Sequence, residues 1–287
     1  MDKISTIVLG VSLIIIMLGM GLSLTLSDFK RIFIYPKAVF VGLTNQILIL
    51  PLVGFLLASI FSLKPEIAIG IMILAACPGG ATSNLICHLA KGDIALSVTL
   101  TALSSFITII TIPFIVNFSL EHFLDKGQVI ELDIVKTVVQ ILAITVIPVS
   151  LGMVIRRYKE NFAAKMEKPV RIASGVVMAV VILGITIQEK DSLITGFKEA
   201  GLVSICLNLF TMLIGYFSAR LFRVTTKRSI SIAIESGIQN GTLAITIAVV
   251  LLNNSSFAIA PAVYSLLMFF TGAALVYLGM RNDKKTV

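Results

Sequence analysis

Long uninterrupted apolar runs restrict what this chain can fold into more than any other feature of its sequence. Each run is roughly 20 residues long, the length that an α-helix needs to cross the hydrocarbon core of a bilayer, and charged residues cluster between the runs. With 57% hydrophobic residues, 13% charged residues and a mean hydropathy of +1.03, the chain lacks the polar surface that a water-soluble protein needs. The sequence therefore predicts an all-α polytopic membrane protein that is solvated by a lipid bilayer.

Nine candidate transmembrane helices follow from the runs between charged or proline-containing breaks. In chain order they are 4–26, 36–62, 66–89, 94–119, 133–155, 170–188, 199–221, 229–252 and 259–280. The first run is too long for the core of a signal peptide and lacks a clear small-residue cleavage site, so we expect it to remain as a span. An odd number of spans places the two termini on opposite sides of the membrane.

Basic residues are distributed unevenly between the two predicted sides of the membrane. When alternate connecting segments are assigned to alternate sides, seventeen of the 23 Lys and Arg residues fall on one side. Because cytoplasmic loops are enriched in Lys and Arg, this pattern predicts an N-terminus outside and a C-terminus in the cytoplasm, in the inner (plasma) membrane of the cell. Topology then explains the net charge of +8, and no nucleic-acid partner is expected.

Two of the candidate spans are interrupted near their middles by helix-breaking and polar residues. The span 66–89 contains CPGGATSN at 77–84, and the span 229–252 contains ESGIQNG at 235–241. Broken backbone is tolerated at that depth only where protein or a water-filled cavity surrounds it. These two interruptions are therefore where we expect a functional site.

Glu235 is the one acidic residue among fifteen that lies well inside an apolar run. An ionised carboxylate at that depth needs a cation, and no span offers a Lys or Arg as an obvious partner at similar depth. Hard cations prefer oxygen ligands, which a helix break supplies as free carbonyl groups. A metal cation or a proton is therefore predicted, and a protonated, purely structural carboxyl group is the alternative.

Further polar side chains occur in the second and fourth spans. Ser97 and Thr101 lie four residues apart, with Ser104 and Thr108 on the same helical face, and the second span carries an Asn-Gln pair at 45–46. These groups could face the first break. Hydrogen bonding to their own helix or to a neighbouring helix is the competing interpretation.

The positions of the two interruptions suggest that the chain consists of two related halves. Each broken span is followed by one more span before the midpoint or the end of the chain, so spans 1–4 would match spans 6–9. Because matched helices are five spans apart, they would run in opposite directions. This arrangement is the inverted repeat of many secondary transporters.

The two interrupted segments also resemble a known family. CPGGATSNLICHLAKGDIALSVTLT at 77–101 and IESGIQNGTLAI at 234–245 are similar to the two signature segments of the bile acid:sodium symporter family. The similarity extends over essentially the whole chain, in the nine-span form that lacks the first helix of ten-span members. The resemblance implies a single transporter unit, with panel-domain helices at 4–26 and 133–188 and core-domain helices at 36–119 and 199–280. Its two broken helices would cross at mid-membrane.

The resemblance further implies two sodium sites behind this crossing. The residues that match the first site are Ser83, Asn84, Ser97, Thr101 and Glu235. Those that match the second are the side chains of Gln46, Glu235 and Gln239 and the backbone oxygens of Ser236 and Ile238. Every side chain that the two sites require is present.

The function that the resemblance implies is symport of sodium with an organic anion, such as pantoate, ketopantoate, pyruvate or a bile-acid-like molecule. The candidate anion contacts are Ala81, Thr82, Asn240 and Gly241, at the starts of the two half-helices, together with Phe269 and Phe270, which stand where many relatives have polar residues. A proton-coupled carrier and a non-transporting anion sensor remain alternatives. An enzyme is not expected, because the sequence offers no nucleophile and base, metal cluster or nucleotide loop.

Overall fold

The structure is a computed structural model that describes residues 3–124, 133–166 and 190–283, together with the isolated positions 169, 172, 173 and 176. Within these residues the secondary structure is helical, and the β contact consists of an isolated bridge between Gly79 and Gln239. The predicted all-α class is therefore confirmed for the described part of the chain.

Five of the described helices are long and apolar enough to cross a membrane, or six when a bent pair at the N-terminus counts as one span. The five are Pro36–Ile60, Ile94–Phe123, Ile134–Tyr158, Gly196–Leu221 and Ser256–Tyr277, and the bent pair is Ile7–Ser23 with Leu26–Phe33. Each of the five long helices overlaps one predicted span, and the bent pair overlaps the first predicted span, 4–26, but extends beyond its end. The sixth candidate span, 170–188, lies outside the described residues except for three isolated positions.

We number the helices in chain order. They are α1 (Lys3–Ser23), α2 (Leu26–Lys30), α3 (Pro36–Thr44), α4 (Leu50–Ile60), α5 (Pro65–Ala76), α6 (Ala81–Leu89), α7 (Ile94–Phe123), α8 (Ile134–Ile141), α9 (Ile147–Tyr158), α10 (Lys190–Leu221), α11 (Thr226–Gly237), α12 (Gly241–Thr246) and α13 (Ile259–Asp283). Three of them, α3, α5 and α7, begin at residues that favour a helix N-terminus. Pro36 and Pro65 occupy first-turn positions that need no N–H donor, and the side chain of Asp93 caps α7.

Two of the predicted spans contain a π-helical turn just before a proline. The turn Asn45–Ile49 joins α3 to α4 and precedes Pro51, and the turn Leu142–Val146 joins α8 to α9 and precedes Pro148. A proline removes one backbone donor from the helical ladder, and the wider π-turn accommodates that loss within a continuous span. The first of these turns carries Asn45 and Gln46, both of which are buried.

The first predicted span, 4–26, ends earlier than expected. Helix α1 stops at Ser23, and the chain turns by 72° into α2. Thr25 and Asp28 form a capping box. The backbone N–H and the side-chain hydroxyl of Thr25 each donate a hydrogen bond to the Asp28 carboxylate, both at 2.7 Å. Because the box starts a new helix at Thr25, residues 24–26 do not extend α1.

Both predicted interruptions are present, and they lie at the centre of the described structure. Helix α5 ends at Ala76 and α6 begins at Ala81, while α11 ends at Gly237 and α12 begins at Gly241. Every residue from Ile67 to Ala76 is buried, as is every residue of α12. A helix that is apolar on all sides and fully buried must be surrounded by other helices, so protein encloses the two breaks.

Helices α1 and α9 pack against each other through glycines. A Cβ atom added to Gly21 would overlap the carbonyl group of Val149, and one added to Gly152 would overlap the backbone of Leu18 and Gly21. Small residues allow this close backbone approach between membrane helices. The contact joins the first span to the fifth, which are two of the helices predicted to form the panel domain.

We predict that Gly21→Ala destabilises the protein, because the new methyl group must push α9 away from α1. Overpacking of this kind costs about 1–3 kcal/mol. Gly10→Ala in the same helix is the matched control, since a Cβ atom there has nothing within 4 Å. Thermal unfolding in detergent measures both, and equal melting temperatures for the two variants would contradict the packing described.

Candidate ion and substrate site

The two breaks are joined to each other by backbone hydrogen bonds. Gly79 and Gln239 form an antiparallel bridge, in which the N–H of Gly80 donates to the carbonyl of Ile238 at 3.0 Å and the N–H of Asn240 donates to that of Pro78 at 2.9 Å. Backbone groups released by the breaks thus satisfy one another inside the protein, as the membrane interior requires.

Glycine is needed at this crossing because the two chains approach closely. A Cβ atom on Gly79 would overlap Oε2 of Glu235, and one on Gly80 would lie 2.9 Å from the carbonyl oxygen of Gln239. Neither contact leaves room for a side chain. The glycines that break the first helix therefore also let the second break lie against it.

Glu235 lies next to the crossing and receives three side-chain hydrogen bonds. Its Oε1 accepts from Ser83 at 2.5 Å and from Ser97, and its Oε2 accepts from Thr101 at 2.8 Å. The residue is only 3% exposed, and no described Lys or Arg forms an ion pair with it. Three donors would stabilise an ionised carboxylate, and a negative charge here would have no basic partner among the described residues.

Asn84 completes a group of oxygen-bearing side chains around this carboxylate. Its Oδ1 lies 2.9 Å from the Ser97 hydroxyl oxygen and 3.5 Å from that of Thr101, the same two hydroxyl groups that contact Glu235. The structure therefore brings together all five residues that sequence reasoning assigned to the first ion site. Among the described residues there is no cluster of His, Cys, Asp and Glu of the kind that holds a transition metal. An all-oxygen donor set with one carboxylate suits a hard cation.

The residues predicted for the second ion site also lie together, where the π-turn Asn45–Ile49 contacts the two breaks. Gln46 Nε2 donates to Gln239 Oε1 at 2.7 Å and to the carbonyl of Cys77 at 2.9 Å. Gln239 Nε2 donates to the carbonyls of Glu235 and Ser236, at 3.1 and 2.9 Å. The remaining predicted ligand, the carbonyl of Ile238, accepts from Gly80.

One atom of this second group stands out because it has no partner. Gln46 Oε1 is buried and has no hydrogen-bond partner among the described residues. A buried polar atom normally has one. Since α11 ends at Gly237, the last carbonyl groups of this half-helix also lie here, and they carry the partial negative charge of a helix C-terminus.

A small cavity lies beside the crossing, between α1, the α8–α9 span, α7 and α12. Its volume is about 10 Å³, close to the space of one water molecule. The described lining residues are Met17, Met20, Pro78, Ser105, Phe106, Thr108, Ile141, Thr145, Val146, Val149, Asn240 and Leu243. The polar atoms of this lining are neutral hydroxyl, amide and backbone groups.

A family model described as "Sodium Bile acid symporter family" matches residues 10–196 of this sequence. The chain belongs to the sodium bile acid symporter family. The match covers more than half of the chain and includes the first of the two breaks, so the resemblance seen in the sequence is confirmed.

Individual members of the family match almost the full chain. The chain is 30% identical to a probable chloroplast sodium/metabolite cotransporter of Arabidopsis thaliana, over 96% of this chain and 67% of that protein. It is 29% identical to an uncharacterised sodium-dependent transporter of Bacillus subtilis, over 98% of this chain and 84% of that protein. It is 28% identical to the ileal sodium/bile acid cotransporter of Oryctolagus cuniculus, over 95% of this chain and 78% of that protein.

Together, the apolar helices and these relatives identify the chain as an integral membrane protein. The relatives are transporters by name, which agrees with the expectation that this family member is not an enzyme. Localisation in an inner membrane and the direction of the termini stay predictions.

Four of the six candidate substrate contacts lie at the two breaks, and the other two lie on α13. Asn240 lines the small cavity and caps α12, where its side chain accepts from the N–H of Leu243 at 3.0 Å. Ala81 and Thr82 are half-buried at the start of α6, and Gly241 is buried. Phe269 and Phe270 are 41% and 74% exposed. A role for these residues as substrate contacts stays a prediction.

The sequence analysis missed two residues that contact the second break. Asn208 and Tyr264 both contact the carbonyl group of Gly237, at the end of α11. Asn208 carries the same signal that drew attention to Gln46, since it is an amide in the middle of an apolar run. Tyr264 offers no such signal, because aromatic residues are frequent in membrane helices.

We predict that Gly79→Ala destabilises the fold by about 1–3 kcal/mol, because its methyl group meets the carboxylate of Glu235, which can move aside only by giving up hydrogen bonds to Ser83, Ser97 and Thr101. Gly201→Ala is the control, as a Cβ atom there has nothing within 4 Å. Thermal unfolding of the two variants in the same detergent provides the comparison. A Gly79→Ala protein as stable as the control would show that the crossing is looser than described.

Proposed function

We propose that this protein is a sodium-coupled symporter that imports a small organic anion by alternating access. The observation that carries the proposal is the buried, unpaired carboxylate of Glu235, surrounded by oxygen-bearing side chains where two broken helices meet. The names of its relatives support the choice of sodium, because they describe sodium cotransporters of bile acids and other metabolites.

The first proposed sodium site uses the five oxygen-bearing side chains around the carboxylate. Its ligands would be Ser83, Asn84, Ser97, Thr101 and Glu235. A sodium ion would supply the positive charge that Glu235 lacks, and the hydroxyl groups would turn their lone pairs towards the ion. Three elements contribute ligands, namely α6, α7 and α11, so ion binding would hold these helices together.

The second proposed sodium site uses the Gln46 and Gln239 side chains, Glu235 and the carbonyl oxygens of Ser236 and Ile238. The unpartnered Gln46 Oε1 supports it, since a cation would satisfy that atom. Binding requires the amide of Gln239 to rotate, because its NH₂ group now lies against the carbonyls that the ion would contact. Glu235 would take part in both sites and so couple the two ions.

For the substrate we propose the cavity beside the crossing, opened by movement of the surrounding helices. Asn240 already lines it, and Ala81, Thr82 and Gly241 would add short side chains and backbone N–H groups at the starts of α6 and α12. In the present conformation the cavity has room for about one water molecule. A small hydroxy or keto acid, such as pantoate or pyruvate, requires less opening than a bile acid.

The moving parts that we propose are a panel domain and a core domain. The panel would consist of 4–26 and 133–188, and the core of 36–119 and 199–280, within nine spans related by inverted repeats. Support comes from the glycine contact between α1 and α9, both panel helices, and from the position of the cavity between these helices and α7 and α12. The charge distribution supports a cytoplasmic C-terminus.

Two sodium ions per monovalent anion would drive substantial accumulation. One net positive charge would move inward, which gains about 2.3 kcal/mol per 100 mV of membrane potential. A tenfold sodium gradient adds roughly 1.4 kcal/mol per ion. The sum of about 5 kcal/mol corresponds to a concentration ratio on the order of a thousand or more.

We predict that sodium stabilises the wild-type protein against thermal unfolding and that Glu235→Ala abolishes this effect, because it removes the one charged ligand of both sites. Ser97→Ala should raise the half-saturating sodium concentration by about tenfold, since it removes a ligand next to that charge. Melting curves in detergent, with sodium exchanged for potassium at constant ionic strength, measure both effects.

Ser119→Ala is the matched control for Ser97→Ala. Both serines are buried on α7, but the one described partner of the Ser119 hydroxyl is the carbonyl of Val116, at 2.8 Å. Its sodium response should equal that of the wild type. Unchanged sodium dependence in both Glu235→Ala and Ser97→Ala would overturn the site assignment.

Transport itself is tested with labelled pantoate, pyruvate and taurocholate in proteoliposomes. We expect an inward sodium gradient to drive uptake of a small acid, and potassium on both sides to abolish it. Uptake driven by a pH gradient without sodium would instead identify a proton-coupled carrier. Binding without uptake would identify a non-transporting sensor.

A further inference from the structure

The carbonyl group of Gly237 is held by side chains from two other helices. Gly237 is the last residue of α11, so its carbonyl oxygen has no partner within that half-helix. It accepts a hydrogen bond from Asn208 Nδ2 at 2.7 Å and another from the Tyr264 hydroxyl at 2.8 Å. Asn208 Nδ2 also donates to the Tyr264 oxygen at 3.1 Å, which closes a triangle of three polar groups.

This triangle is buried and rigidly placed. Asn208 on α10 is 1% exposed, and Tyr264 on α13 is fully buried. A Cβ atom on Gly237 would overlap the side chain of Met212, and one on Gly215 would lie 2.8 Å from Ser236 Oγ, so α10 packs directly on the end of α11. Two donors from two helices therefore fix the orientation of the peptide group that links Gly237 to Ile238.

That peptide group lies between the two carbonyls of the second proposed ion site. The carbonyl of Ser236 precedes it and the carbonyl of Ile238 follows it. When a peptide group is fixed, the directions in which its neighbours point are restricted, because the backbone has only two free dihedral angles per residue. The Asn208–Tyr264 pair thus acts on these ligands without touching an ion.

The first break contains a matching contact. Gln46, from the span that precedes α5, donates its amide to the carbonyl of Cys77 at 2.9 Å, just beyond the end of α5. Asn208, from the span that precedes α11, does the same at Gly237. In both residues the amide oxygen is buried and has no partner among the described residues. At both breaks, therefore, a side-chain amide from the preceding span donates a hydrogen bond to the end of a half-helix.

We propose that Asn208 and Tyr264 are positioning residues that hold the second break in the geometry that binds the second sodium ion. The inference rests on the proposed sodium coupling. Loss of either donor would leave the carbonyls of Ser236 and Ile238 free to turn away from the ion. Sodium would then bind more weakly, in addition to any loss of fold stability.

The test compares Tyr264→Phe with Ser265→Ala. Tyr264→Phe removes one hydroxyl group and keeps the ring, whereas Ser265→Ala removes a buried hydroxyl from the next residue of α13, whose only described partner is the carbonyl of Pro261. The measurement is the sodium concentration that gives half of the maximal thermal stabilisation. We expect Tyr264→Phe to raise it about fivefold, the equivalent of one lost hydrogen bond, and Ser265→Ala to leave it unchanged.

Asn208→Leu provides a second variant, and the double variant shows whether the two residues act on the same group. Because both donors hold one carbonyl, the combined shift should be smaller than the product of the single shifts. A lower melting temperature with unchanged half-saturation in both single variants would overturn the positioning role while leaving sodium coupling intact. A wild-type protein without any sodium response would overturn the proposed function itself, and the inference with it.

Discussion

The structure depends on the pairing of the two broken helices across Gly79 and Gln239. Each break releases backbone donors and acceptors at a depth where no lipid group can bind them, and an unsatisfied group there costs several kcal/mol. The bonds from Gly80 to Ile238 and from Asn240 to Pro78 remove part of this cost. Two interruptions that would each be unfavourable alone therefore stabilise each other.

This pairing also determines where the polar side chains lie. It brings α6 and α11 together, so that Ser83 from one break donates to Glu235 from the other. Helix α7 packs beside them, and its Ser97 and Thr101 hydroxyl groups also donate to Glu235. The buried carboxylate is surrounded by donors, and in the proposed function a cation balances its charge. In the proposed mechanism, ion binding would therefore stabilise the same crossing that the backbone bonds hold.

The membrane helices and their two breaks could be predicted from local sequence patterns. The lengths of the apolar runs predicted the membrane helices, and the clusters at 77–84 and 235–241 predicted both breaks. Glu235 was evident because a carboxylate in an apolar run is costly and therefore rare. The end of α1 was placed three residues too late, because a capping box at Thr25 and Asp28 starts a second helix inside an apolar run.

The sequence by itself determined the class of protein and the two breaks, because these depend on hydrophobicity and on helix-breaking residues that act locally, and its resemblance to a known family implied the residues of the candidate ion site. Only the tertiary structure decided which residues meet. The overlap at Gly79, the unpartnered amide oxygen of Gln46 and the Asn208–Tyr264 contact with Gly237 depend on helices that are distant in the chain. Periodicity assigns a residue to a helix face, but the packing of helices against one another decides what that face contacts.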